Sequence, residues 1–279
     1  MTRAPVLALA AILTSSCAAS LSKLPTLPQG PGVAAADARN ALAESTVACQ
    51  RVTTITAEIA ATGRVNGQRL RARLIAGLAP PDAARLEAFA FGQPIFIFVA
   101  RGNDATLLLQ RDNRIVEHGP PDAILEAVTG VPLDPATLRT TLTGCTTVPD
   151  WREARQFGDD WLMVPDGDGQ VYLRRSPHVA PWRLVTAIHR DASGTEWRAE
   201  YLRISNGVPG EVRLRSADGK RFDLKLVLSQ VETNAPLDAV VFRVQIPSSA
   251  GPLTLDELRE IGPLGPVASP NASRTPGNK

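Results

Sequence analysis

The chain has 279 residues, of which 44% are hydrophobic, and its formal net charge is only +2. That length supplies one large domain or two small ones with a sizeable core, and the near-neutral balance gives no argument for nucleic acid as a partner. The cations are nearly all arginine, with lysine only at 23, 220, 225 and 279. Arginines alternate with apolar residues, as in Arg69-Leu-Arg-Ala-Arg-Leu74 and Glu211-Val-Arg-Leu-Arg215. This alternation places the charges on one solvated strand face.

Arg3 precedes an apolar run, Val6 to Leu13, and then Ser15-Ser16-Cys17. A positive start, a short apolar stretch and small residues make a secretory signal peptide over 1–16. The run is too short to span a bilayer as a helix. Small residues leading directly into Cys17 resemble a bacterial lipoprotein signal. That resemblance implies cleavage before Cys17, lipid on it, and, since Ala18 follows, placement at the outer membrane facing the periplasm. The alternative is an ordinary cleaved signal with Cys17 discarded. If Cys17 takes lipid, Cys49 and Cys145 remain as an even pair in an oxidising compartment, and a bridge between them is expected; two buried free thiols are the alternative.

Residues 17–36 are rich in Pro and Gly and read as a lipidated cysteine with a flexible tether. Asp37 is placed to cap a helix over 38–48. Strands are expected at 52–60, 69–76, 84–90, 94–101, 105–110 and 114–117. Asn66-Gly67 makes a hairpin turn, and turns are expected at Gly92-Gln93, Gly102–Asp104 and Asp112-Asn113. Two helices interrupt this meander. One covers 121–128 and closes at Gly130. The other is capped by Asp134, has Pro135 at its first position, and closes at Gly144. Strands resume at 151–157, 160–164, 170–175, 182–189, 196–204, 211–215, 222–231 and 240–245. Gly262–Lys279 is a Pro-, Gly- and Ser-rich tail. One domain over 37–261 is expected, mainly β with a few helices, its antiparallel sheet curling into a barrel or half-barrel. Charges on both faces of several strands argue against a membrane-spanning barrel.

The helix, the long meander, the helical interruption and the later strands, ending in Phe242-Arg-Val-Gln-Ile-Pro247 and Leu253-Thr-Leu-Asp-Glu-Leu258, resemble the LolA/LolB lipoprotein-carrier superfamily. The resemblance implies an incomplete, half-open β-barrel with a helical lid and an apolar interior that takes an acyl chain or a lipoprotein. Phe89, Phe91, Phe96, Phe98, Leu107 and Leu109 are then the candidate lining of an apolar cleft; read alone they favour a closed core. The membrane-inserting member of that family carries an exposed leucine on an early loop. Leu78, beside Ala79-Pro-Pro-Asp82, is the candidate here, and Phe91-Gly-Gln-Pro94 is the other comparable turn.

Nothing in the residues argues for an enzyme. His118, His178 and His189 lack the spacing of a metal site, and neither a nucleophile elbow nor a phosphate loop is present. No metal and no cofactor is expected. Pro165-Asp-Gly-Asp-Gly169 reads as a hairpin turn rather than a calcium loop. The four tryptophans read as core or rim packing. The expected function is therefore non-catalytic: a lipid-anchored protein binding an apolar ligand for transport or insertion at the outer membrane. The alternative is a scaffold lipoprotein with a filled barrel that binds protein partners only.

Overall fold

The computed structural model describes residues 26–146, 148, 150–175, 181–191 and 193–262. Cys17, the signal peptide, His178 and the tail beyond Gly262 lie outside the described residues. The first half of the chain runs β1 (Val33–Ala34), α1 (Ala38–Thr46), β2 (Ile55–Val65), β3 (Gln68–Ala79), β4 (Ala83–Ala90), β5 (Gln93–Arg101), β6 (Asp104–Leu109) and β7 (Arg114–Gly119). Two helices follow, α2 (Pro121–Thr129) and α3 (Pro135–Thr143). The second half runs β8 (Arg155–Phe157), β9 (Trp161–Asp166), β10 (Gly169–Arg174), β11 (Arg183–Arg190), β12 (Glu196–Ser205), β13 (Val208–Ser216), β14 (Phe222–Thr233), β15 (Gly251–Pro252) and α4 (Leu255–Ile261).

The fifteen strands among the described residues form one sheet, in the order β1-β8-β9-β10-β11-β12-β13-β14-β2-β3-β4-β5-β6-β7-β15. Two antiparallel meanders are thus joined where the last long strand, β14, pairs with the first, β2. Because side chains alternate along a strand, each long strand sends one row inward. In β2, Ile55, Ala57, Ile59 and Ala61 are buried, while Glu58, Ala60 and Thr62 face out. The concave face gathers these rows into one apolar core with α1, α2, α3 and α4.

Local signals explain most boundaries. Asn66 and Gly67 have φ of 48° and 78°, the paired positive values of the hairpin turn that Asn-Gly favours. Asp134 accepts hydrogen bonds from the Thr137 backbone N–H at 2.9 Å and the Thr137 hydroxyl at 2.6 Å, capping α3. Gly130 and Gly144 end the two helices in the left-handed conformation. Pro165–Gly169 is the β9–β10 turn.

Four expectations are corrected. Asp37 does not cap α1; its carboxylate accepts from the Asn40 side chain at 2.5 Å. The body begins ahead of residue 37, because Val33–Ala34 pairs with β8. The β4–β5 turn falls at Phe91-Gly92, one residue early, with both residues at positive φ. Residues 240–245 form no strand. Their alternating apolar pattern suits one, but β3 and β4 already have both edges paired. The segment instead crosses the convex face: the Arg85 guanidinium donates to the carbonyls of Val241 at 3.0 Å and Arg243 at 2.9 Å. It ends at β7, where β15 pairs in parallel.

Candidate functional site

The sheet is not closed by strands all the way round. β7 pairs with β6 and β15, and β8 with β9 and β1; no ladder joins β7 to β8. The chain between them is the segment that carries α2 and α3. Their apolar stripes, Ile124, Leu125 and Val128 on α2 and Leu138 and Leu142 on α3, complete the core. α2 packs on β6 and α4, and α3 on β13, β3 and β4, so the two helices lie against the concave face. The candidate site is the interior that they cover.

Four of the six predicted cleft residues meet there. The strand register sets Leu86, Phe98 and Leu107 in one row across β4, β5 and β6, and Ala88, Phe96 and Leu109 in the next. The small Ala88 leaves room for the Phe96 ring. Phe96, Phe98 and Leu107 are fully buried, and Leu109 nearly so. The void bordering Phe96, Leu109, Val128 and Leu258 is only about 10 Å³, far below the roughly 300–1,000 Å³ of a small-molecule pocket. Around these side chains the described residues are packed. Phe89 and Phe91 are not part of it. Phe89 faces outward, its ring centroid 5.2 Å from the Arg73 guanidinium carbon, and Phe91 is 80% exposed on its turn. Leu78 is also misplaced as a membrane-contact residue. It lies within β3, paired with Ile55 and Ala84, and is fully buried. The Pro80-Pro81 break lies just beyond it, so its strand row, not the loop, decides its direction.

Charged contacts hold the helices down. Arg221, on the β13–β14 turn, donates to the Glu126 carboxylate on α2 and to Asp191, on the β11–β12 turn, at 2.6 Å. Burial pushes the Asp191 carboxyl up, but hydrogen bonds from Ser193, Arg221 and the Thr195 and Ser193 backbone N–H groups outweigh it and hold it at about 2. α4 packs on α2 and is closed at its start by a capping box between Thr254 and Glu257. Arg114 of β7 donates to Glu257 at 3.0 Å. The Thr254 backbone N–H, then Arg114 and the Thr254 hydroxyl, lower the Glu257 carboxyl to about 2. At the far end of α3, Cys145 is bonded to Cys49, with Cα atoms 5.5 Å apart. The expected disulfide therefore staples the lid segment to the turn after α1.

Beside the α2–α3 junction is a half-open cleft of about 600 Å³, lined by Leu133, Asp134, Thr137, His189, Trp197 and Arg221 among others. The His189 and Trp197 rings stack at 4.4 Å between centroids. Burial lowers the His189 pKa, against the opposing effect of Asp166 and Asp134. His118 lies elsewhere, exposed, with Nδ1 3.1 Å from Asp104 Oδ2. Trp182 and Trp197 are core residues, and Trp161 stacks with Arg174, its centroid 5.1 Å from the guanidinium carbon.

The sequence reading missed the Arg221–Glu126–Asp191 network, because the partners lie on three separate elements. The Thr254–Glu257 capping box was available from its S/T-x-x-E spacing.

No protein-family model and no curated protein matches the chain. Among solved structures, it is similar to a LolA superfamily protein from Nitrosomonas europaea, at 12% identity and a TM-score of 0.52, covering 76% of this chain and 98% of that one. A domain described as an outer membrane lipoprotein-sorting protein, from Vibrio parahaemolyticus, is 10% identical with a TM-score of 0.47, covering 74% and 94%. The first of these shows a shared fold: an open, mainly β half-barrel with helices at its opening.

Proposed function

We propose, from the LolA-like fold and its helix-covered interior, that this is a non-catalytic, lipid-anchored protein of the cell envelope, binding an acyl chain or a lipoprotein behind α2 and α3. The observation that carries the reading is this helical cover. Elsewhere around the sheet, entry to the interior would require breaking backbone ladders. Where α2 and α3 cover it, entry requires only that packed side chains part. In that opened state Phe96, Phe98, Leu107 and Leu109 would line the cleft. Burying an acyl chain against them gains about 0.8 kcal/mol per methylene, before the cost of ordering it. The anchor is Cys17, and the site of action is the periplasmic face of the outer membrane. Phe91, not Leu78, is the exposed apolar residue suited to touch the bilayer.

A fluorescent fatty acid with about a dozen methylenes should bind at micromolar concentration. Phe98→Asp, if still folded by circular dichroism, should lose that binding, because a carboxylate cannot be buried there without large cost. N-terminal acyl mass on the mature protein should vanish in Cys17→Ser. A second reading is favoured by the packing around Phe96, Phe98, Leu107 and Leu109: a scaffold lipoprotein that binds protein partners only. It prevails if the wild-type protein takes up no acyl probe.

A further inference from the structure

The convex face of β2–β4 carries a feature that the interior does not use. Arg69, Arg71 and Arg73 alternate along β3 and so stand on one face, roughly 7 Å apart. All three are exposed. Arg73 is 3.5 Å from Glu58 across the β2–β3 ladder and keeps a half-exposed side chain. Arg69 and Arg71 make no side-chain hydrogen bond or ion pair among the described residues. A cleft of about 630 Å³ opens here, lined by Arg71, Arg73, Phe89, Phe91, Thr62 and Glu58 among others. Glu58 is its only carboxylate, and Phe91 stands at its rim.

On β12 and β13, by contrast, arginines are matched. Arg213 holds Asp223 with two hydrogen bonds of 2.9 Å, Arg203 holds Glu211 at 2.6 Å, and Arg198 lies 3.1 Å from Glu200. The unmatched positive charge thus gathers on β3 and on its neighbours, where Arg64 pairs in register with Arg69 and Lys225 stands across Thr62 from Arg71, neither with an ion pair among the described residues. It lies beside exposed aromatic surface rather than beside carboxylates. Guanidinium groups suit phosphate oxygens, and an aromatic ring suits the layer just beneath them.

We propose that the Arg69–Arg71–Arg73 ladder is a docking face for the anionic phosphate headgroups of a bilayer. The face points away from the barrel interior, so the assignment stands whether or not the interior takes a ligand. It adds weak, salt-sensitive adsorption to whatever attachment the N-terminus supplies.

The test uses the full chain carrying Cys17→Ser, mixed with vesicles of phosphatidylcholine alone or with about one-third phosphatidylglycerol. Sedimentation should show binding to the anionic vesicles only, and high salt should abolish it. Arg69→Gln with Arg71→Gln should weaken that binding about 30-fold. Arg69→Lys with Arg71→Lys should retain most of it. Arg39→Gln with Arg101→Gln, an equal change in net charge on other surfaces, should leave it unchanged. The proposal is overturned if the chain ignores anionic vesicles, if the control pair loses as much as the ladder pair, or if the ladder variant binds like its parent. Binding to polyglutamate without binding to vesicles would assign the face to an acidic protein and overturn it equally.

Discussion

The interior is closed in two places, by different means. At the first, β14 meets β2 in a ladder running from Phe222–Val65 to Thr233–Ile55, with one irregularity after Ser229. Backbone hydrogen bonds close it, and nothing there can open without breaking them. Between β7 and β8 no ladder forms, and the chain that links them runs as α2 and α3 over the concave face, α2 against β6 and α3 against β13, β3 and β4. Closure there rests on leucine and isoleucine side chains, a disulfide and a few ion pairs. One closure is architecture; the other has the means to be a door. The concave surface behind both is the same apolar core, so the difference lies in what must break to reach it.

The largest effect is expected at the strand seam. Gly63 of β2 has φ of 150°, and a Cβ there would stand 2.0 Å from the Asp223 carbonyl oxygen of β14. Neither backbone can yield within a ladder. Gly63→Ala should cost at least about 3 kcal/mol in denaturant unfolding and lower the stability of the whole body. Next comes the disulfide. Cys145→Ser should cost about 2–5 kcal/mol, and its first visible consequence should be faster exchange of α3 amides rather than of β2 amides.

The ion-pair latch should act on the door alone. Arg221→Met removes partners from both Glu126 and Asp191, yet these contacts are partly solvent-screened, so global stability should fall by no more than about 1 kcal/mol. Amide exchange in α2 should nevertheless accelerate. Acid should do the same. The Asp191 carboxyl is held at about 2, below its unfolded value of about 3.9. A depressed carboxylate contributes fully above the unfolded value and loses that contribution as pH falls through the folded one. Loosening of α2 should therefore set in between about pH 4 and pH 2 and be absent in Arg221→Met, where the Arg221 hydrogen bond is already gone.

Much of this arrangement was legible in the residues, and the exceptions have physical causes. The long strands announced themselves because one face is apolar and the other solvated, which makes their period unmistakable. Both lid helices were legible from Asp134, Pro121, Pro135 and the glycines that stop them. The cysteine pair followed from counting. What failed was anything set by neighbours. Val240, Phe242 and Val244 alternate like a strand, yet β3 and β4, which they cross, already have both edges paired. Leu78 lies near a proline break but is drawn inward by its row in β3. Phe91 was grouped with the buried phenylalanines because spacing alone cannot say where a turn begins. The latch joins residues 126, 191 and 221, and no local pattern links them.

The central claim is that the helical cover opens while the strand-closed seam stays shut. Native-state hydrogen exchange across a denaturant series measures this directly. The account predicts that amides of α2 and α3 exchange through an opening of lower free energy and smaller denaturant dependence than those of β2 and β14. If the four elements instead share one opening energy, equal to that of global unfolding, the helices are fixed core and the cover is not a door.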